Sequence, residues 1–228
     1  MKIIKKFKSK IAYALTIVFL FPTMYSCTTD KLTNEFEENA TYDQIAQKYE
    51  GSAKQIADAI RLVNSELQNS FQEKQINGVE ITQELVDQYA VAAGYDKGEF
   101  TVALVEEVMD KNEDLITYGY MQVLDDYNLT GFTKLKIQEI LDGQAWISDL
   151  QNSPNYANLA TNEKEMLTFI NTVAKESSSF TPTEKARFWD GFTSFGVGAI
   201  AGGVLFGPLG MFFGGLIGTY VNNLAKNS

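Results

Sequence analysis

Apolar residues recur at helical spacing along most of the chain from Thr41 onward. In the first such segment they fall three or four residues apart, or at multiples of these steps, and so share one helix face. Gly51 lies inside the segment and is a candidate break point. We therefore predict an amphipathic helix after Thr41, with these residues facing the core: Ile45, Tyr49, Ile56, Ile60, Val63 and Leu67.

The next part of the chain carries shorter stretches of the same periodicity. After the Asn77-Gly78 turn, a second helix is predicted to end at Gly94, and a third to begin near Phe100. Asn112 is a candidate N-cap for a fourth helix, which would continue as far as Tyr127. Only residues 76–81 alternate in a way that allows a short strand.

Two more helices complete the pattern. A fifth is predicted from Phe132 to Leu150, and a sixth follows the loop at residues 152–155. The pattern indicates an all-α domain at residues 41–180, a bundle of about six helices. The predicted core residues are Leu135, Ile140, Leu141 and Trp146 in the fifth helix, and Met166, Leu167, Ile170, Val173 and Ala174 in the sixth.

A capping signal opens the last part of the chain, residues 181–228. In Thr181-Pro182-Thr183-Glu184, threonine stands at the N-cap, proline at the first helical position and glutamate two positions later. The threonine hydroxyl would accept from the Glu184 amide, while the glutamate carboxylate would accept from the Thr181 amide. We predict that a helix begins here.

That helix leads into a segment of 35 residues, 191–225, with no charged side chain and with ten of the 17 glycines of the chain. Small residues recur every fourth position, which places each set on one helix face where a second helix can approach closely. One straight helix of this length would measure about 52 Å, and Gly207-Pro208 interrupts it near the middle. We predict a helical hairpin, 191–206 against 209–225, packed through Gly198, Gly202, Gly203, Gly207, Gly210, Gly214 and Gly218.

Two interpretations of this segment follow from its apolar character, because a helix that is apolar all round is buried either in lipid or in protein. The large number of apolar residues to be covered favours membrane contact. The low hydrophobicity of glycine, and its cost of about 1 kcal/mol in a helix relative to alanine, favour burial in the core. The segment resembles a glycine-zipper domain of bacterial envelope proteins. In composition and spacing it is also similar to the glycine-rich peptides of two-peptide bacteriocins and to the apolar hairpin of pore-forming colicins.

The N-terminus has the order of a secretory signal. Five lysines precede any acidic residue, and an apolar run from Ile11 to Phe21 follows, shorter than the roughly 20 residues of a membrane span. The next residues, Met24-Tyr25-Ser26-Cys27, resemble a relaxed lipobox of bacterial lipoproteins. The resemblance implies cleavage after residue 26, a diacylglycerol on the Cys27 sulfur and an acyl group, such as palmitate, on the new N-terminus.

The alternative for Cys27 is a free thiol in an ordinary secreted protein, since it is the only cysteine in the chain. Residues 27–40 are polar and acidic and are predicted to be a flexible tether between lipid and domain. Thr28 and Thr29, rather than aspartate, follow the cysteine, which by the resemblance implies the outer membrane rather than the inner one.

Charge and composition restrict the function further. Residues 1–26 hold five of the 19 basic residues and none of the 29 acidic ones, so the mature chain would carry 14 against 29, a net charge of −15. This argues against a nucleic-acid partner. The chain has no histidine, which removes most zinc sites and histidine-based catalysis. Asp126, Asn128 and Thr130 match the first ligand positions of a calcium-binding loop, but Ile137 occupies the last position, where such a loop requires glutamate.

We therefore expect no catalytic, cofactor-binding or metal site, and no enzyme activity. The leading hypothesis is a cell-envelope lipoprotein with a structural or interaction role. Its partners would be membrane lipid, reached through Cys27 and the 191–225 hairpin, and a second copy or another envelope protein. One alternative is a membrane-active toxin or pore-forming protein. A weaker one is a helical binding protein with the hairpin buried in its core.

Overall fold

The computed structural model describes residues 38–70, 82–84, 86–87, 96–98 and 100–226 of the chain. These residues contain α-helices and short 3₁₀ turns, without a strand, so the all-α prediction is confirmed for this part of the chain. The helices are α1 (Tyr42–Ser70), α2 (Val102–Tyr118), α3 (Tyr120–Asp125), α4 (Gly131–Gly143), α5 (Pro154–Ala157), α6 (Thr161–Glu176) and α7 (Pro182–Lys226).

Helix α1 begins with a capping box that we did not predict. The Thr41 amide donates to Gln44 Oε1 at 2.8 Å, and the Gln44 amide donates to Thr41 Oγ1 at 3.3 Å. The helix continues through Gly51 without a break. Four predicted core residues, Ile45, Tyr49, Ile56 and Ile60, are fully buried, and the side chains of Val63 and Leu67 lie outside those described.

The predicted helix start at Asn112 is wrong. Helix α2 runs through this residue to Tyr118, and the chain breaks instead at Gly119, whose φ of 84° and ψ of 161° suit glycine alone. Asparagine inside a helix costs only a few tenths of a kcal/mol more than most residues. It therefore does not end a helix whose apolar periodicity continues on both sides.

The fifth predicted helix is too long. Helix α4 ends at Gly143, and Gln144 follows in the left-handed conformation with φ 47°. Trp146 therefore lies in the turn after the helix. The loop predicted at residues 152–155 is partly helical, because a 3₁₀ turn at Leu150–Asn152 leads into α5 with Pro154 at its first position.

Leu135 is the one predicted core residue of α4 that the structure places at the surface, with 57% of its area exposed. Ile140 and Leu141 are buried as predicted, and Ile137 lies with them. A helix as short as α4 buries only a narrow stripe. Here the stripe contains Ile137, Ile140 and Leu141, and Leu135 lies outside it.

Helices α6 and α7 form the centre of the domain. The five predicted core residues of α6 are all buried. Helix α7 contacts α1, α2 and α6, so the C-terminal part of the chain shares one core with the preceding helices. A row of aromatic rings joins α7 to α6, with centroids 4.8–5.8 Å apart: Phe188, Trp189, Phe192, Phe195 and Phe169.

Other predictions fall on residues outside those described. These are the signal peptide at residues 1–26, residues 27–37 of the tether, the short strand at 76–81 and most of the helix that ends at Gly94.

Helix α7 begins at Pro182 as predicted, and the carboxylate half of the predicted capping box is present. The Thr181 amide donates to Glu184 Oε2 at 2.9 Å. The Thr181 hydroxyl, predicted to accept from the Glu184 amide, instead donates to the same carboxylate oxygen at 2.8 Å. The other carboxylate oxygen pairs with Arg61 of α1, whose guanidinium lies 5.1 Å from the centre of the Phe180 ring. Glu184 therefore both caps α7 and links it to α1.

These contacts predict a pH effect. Hydrogen bonds from Thr181 and the charge of Arg61 lower the pKa of Glu184 below its usual value of 4.5. Because the pKa of Glu184 is lower in the folded state than in the unfolded state, its carboxylate stabilises the fold at pH values above the unfolded-state pKa. This stabilisation is lost as the pH falls through the folded-state pKa. We expect Glu184→Gln to reduce the free energy of unfolding at pH 7, and the difference from wild type to shrink near pH 3. Urea titrations at both pH values measure this, and an equal difference at both would contradict the assignment.

Candidate functional site: the glycine-rich segment and its surroundings

The chain changes direction at Gly207 within α7. Its φ of 69° and ψ of −155° are not helical, and they divide the element into a first arm, 182–206, and a second arm, 208–226. A positive φ of this kind is open to glycine at little cost and is strained for residues with a Cβ. Pro208 follows, and its ring fixes the φ with which the second arm begins.

Backbone-to-backbone contact joins the two arms. A Cβ atom added at Gly202 would lie 2.5 Å from the carbonyl carbon of Gly210 and closer still to its oxygen. One added at Gly198 would lie 2.8 Å from the carbonyl carbon of Gly214 and 3.2 Å from Cα of Gly218. Gly198 thus faces Gly214 and Gly202 faces Gly210, so the two arms run antiparallel.

Gly203 has a different environment from the other glycines of the repeat. A Cβ there would lie 2.5 Å from Cγ of Met211 and 2.8 Å from Sδ of Met166, a residue of α6. Gly203 therefore makes room for two methionine side chains rather than for the opposite backbone. Gly215, which the fourfold spacing did not select, is similar, since its Cβ would lie 2.7 Å from Cδ2 of Phe195.

The middle of the first arm is buried within the protein. Its apolar residues between 192 and 201 are each at most 1% exposed, and α1, α2 and α6 pack against α7. Val204, near the turn, is 44% exposed, the one large apolar side chain so exposed among the described side chains of this arm. Burial in protein therefore describes the apolar residues between 192 and 201. Within the described part of the chain, no helix has both the length and the apolar character required to cross a membrane.

A buried ion pair lies on α6, beside the aromatic row. Glu165 is fully buried, and its carboxylate accepts from the Tyr49 hydroxyl at 2.5 Å. Lys48 Nζ lies 3.1 Å from the same oxygen, with 13% of the lysine side chain exposed. A buried carboxylate is tolerated only when it is paired and hydrogen-bonded, as here. The pair fixes the position of α1 on α6.

A second polar contact on α6 fixes the turn after α4. The Asn171 side chain accepts from the Ile147 amide at 2.7 Å and donates to the Ile147 carbonyl at 3.0 Å. It also donates to the Tyr42 hydroxyl at 3.0 Å, at the start of α1. Beside it, the Tyr156 hydroxyl lies 2.6 Å from Thr168 Oγ1, and burial raises the pKa of Tyr156 to about 12. These groups are therefore neutral hydrogen-bonding partners at physiological pH.

The N-terminal turn of α6 caps another helix. Glu163 is buried, and its carboxylate accepts from the Thr130 amide at 3.1 Å and from the Thr130 hydroxyl at 2.7 Å. Thr133 also donates to it. A negative charge at the start of α4 interacts favourably with the helix dipole and satisfies an amide left free there.

The polar contacts of α6 could not be predicted from residue spacing. The apolar residues at positions 166, 167, 169, 170, 173 and 174 lie within an arc of about 160° around the helix, which is the single buried face of an ordinary amphipathic helix. The structure buries polar residues of this helix as well, and buried polar groups need hydrogen-bond partners that spacing does not identify: Glu163, Glu165, Thr168, Asn171 and Thr172.

These groups position the helices through hydrogen bonds and an ion pair. Glu163 and Glu165 each hold specific partners, and no group of three or more acidic or cysteine side chains among the described residues is arranged to hold a metal ion. In the turn that echoes a calcium loop, Asp126 pairs with Lys111 at 2.7 Å, Thr130 caps α4 and Ile137 is buried. Cys27 lies outside the described residues.

Comparison of the chain with protein-family models, with curated proteins and with solved structures found no match in any of the three.

Proposed function

We propose that this protein is a lipoprotein of the bacterial cell envelope, anchored through lipid on Cys27, in which the helical domain has a structural or interaction role. The observation that carries the proposal is the N-terminal pattern: a basic stretch, a short apolar run and Met24-Tyr25-Ser26-Cys27, which ends in the only cysteine of the chain. Two acyl signals are sufficient for stable anchoring, whereas one holds weakly.

The start of the folded domain supports a separate anchor. Helix α1 has its own capping box at Thr41, 14 residues after Cys27. A flexible tether of this length has a root-mean-square span of about 20 Å. It would let the domain stand clear of the lipid surface, from which its net negative charge also repels it when the lipid is anionic.

The burial of apolar residues in the glycine-rich segment also supports a membrane anchor at Cys27 rather than in the hairpin. Because the apolar residues between 192 and 201 are buried and α1, α2 and α6 pack against α7, the domain provides protein contacts for residues that would otherwise need lipid. We therefore place the membrane attachment at Cys27 and give the hairpin a role in the core. An outer-membrane location follows from Thr28 and Thr29 by resemblance to diderm lipoproteins.

The test is lipid labelling of the full-length precursor in a diderm bacterial host, with Cys27→Ser as the variant. The wild-type protein is expected to incorporate labelled palmitate, to enter the detergent phase of a Triton X-114 extraction and to sediment with outer membranes. Cys27→Ser is expected to lose the label and to remain in the aqueous phase. Ser26→Ala, which brings the lipobox closer to the usual pattern, is the matched control and should be labelled normally.

Two outcomes would overturn parts of the proposal. Equal labelling of wild type and Cys27→Ser would exclude this cysteine as the lipid-attachment site. An unlabelled Cys27→Ser protein that still enters the detergent phase would show that the domain itself contacts the membrane. Leakage from liposomes treated with that variant would then separate a membrane-active protein from a passive one.

A further inference from the structure

We draw no further inference here: the strongest candidate, the exposed apolar side chains of Tyr118 and Met121 on either side of the Gly119 bend, carries nothing because the structure does not show what covers them.

Discussion

Replacing Gly202 with alanine is expected to destabilise the protein by about 3 kcal/mol, at the upper end of the usual cost of overpacking. The added methyl group would overlap the carbonyl of Gly210, and this obstacle is backbone rather than the end of a flexible side chain. The two arms would have to separate, which also disturbs the aromatic residues packed beside them. Urea unfolding of the chain without residues 1–27, followed by tryptophan fluorescence, measures the loss.

The matched control is the same substitution at Gly51. This glycine lies inside α1, is exposed, and has no atom within 4 Å of an added Cβ. Alanine favours a helix over glycine by about 1 kcal/mol, so Gly51→Ala is expected to raise the free energy of unfolding. Replacing glycine with alanine is thus expected to raise the free energy of unfolding at position 51 and to lower it at position 202. A stabilising effect of Gly202→Ala would show that the arms are not in backbone contact.

Replacing Lys48 with methionine is expected to cost about 3 kcal/mol, because it removes the cation from a carboxylate that is fully buried. Methionine keeps most of the length and the apolar stem of lysine. The expected decrease in the free energy of unfolding therefore comes from the lost charge rather than from lost packing. Adding Glu165→Gln to this variant removes the negative charge that Lys48 balances in the wild type, and it still leaves an oxygen to accept from the Tyr49 hydroxyl. We expect the double variant to recover more than half of the lost free energy.

An exposed ion pair provides the comparison. Lys136 lies 2.6 Å from Glu139 on α4, and about half of the glutamate side chain is exposed to solvent. Surface pairs of this kind contribute about 0.5 kcal/mol, so Lys136→Met should change the urea midpoint only slightly. Equal losses for Lys48→Met and Lys136→Met would mean that burial does not strengthen the Lys48–Glu165 interaction.

The sequence predicted best those features that depend on local periodicity. The buried face of α1, the core residues of α6 and the start of α7 all followed from the spacing of apolar residues or from a capping motif. Helix ends were predicted less well. Gly119 and Gly143 end helices where the apolar pattern continues, because a local change of backbone angle is not encoded in periodicity.

The contacts around the glycine-rich segment depended on information that spacing does not contain. Fourfold repetition identified a face free of side chains, but it could not show that Gly203 makes room for Met166 and Met211 while Gly202 meets the backbone of Gly210. Nor could it decide between lipid and protein as the surroundings of the first arm. The buried partners of Glu165 lie 116 and 117 residues away in the chain, so only the tertiary structure identifies them.

The close contact between the arms has a consequence for the order of folding. Gly202 and Gly210 are only eight residues apart, so bringing them together closes a short loop at small entropic cost. The contact between Lys48 and Glu165 closes a loop of more than one hundred residues. Contacts between residues close in sequence, such as Gly202 and Gly210, are expected to form early in folding, and contacts between distant residues, such as Lys48 and Glu165, are expected to form late. We therefore expect Gly202→Ala mainly to slow folding and Lys48→Met mainly to speed unfolding in stopped-flow experiments.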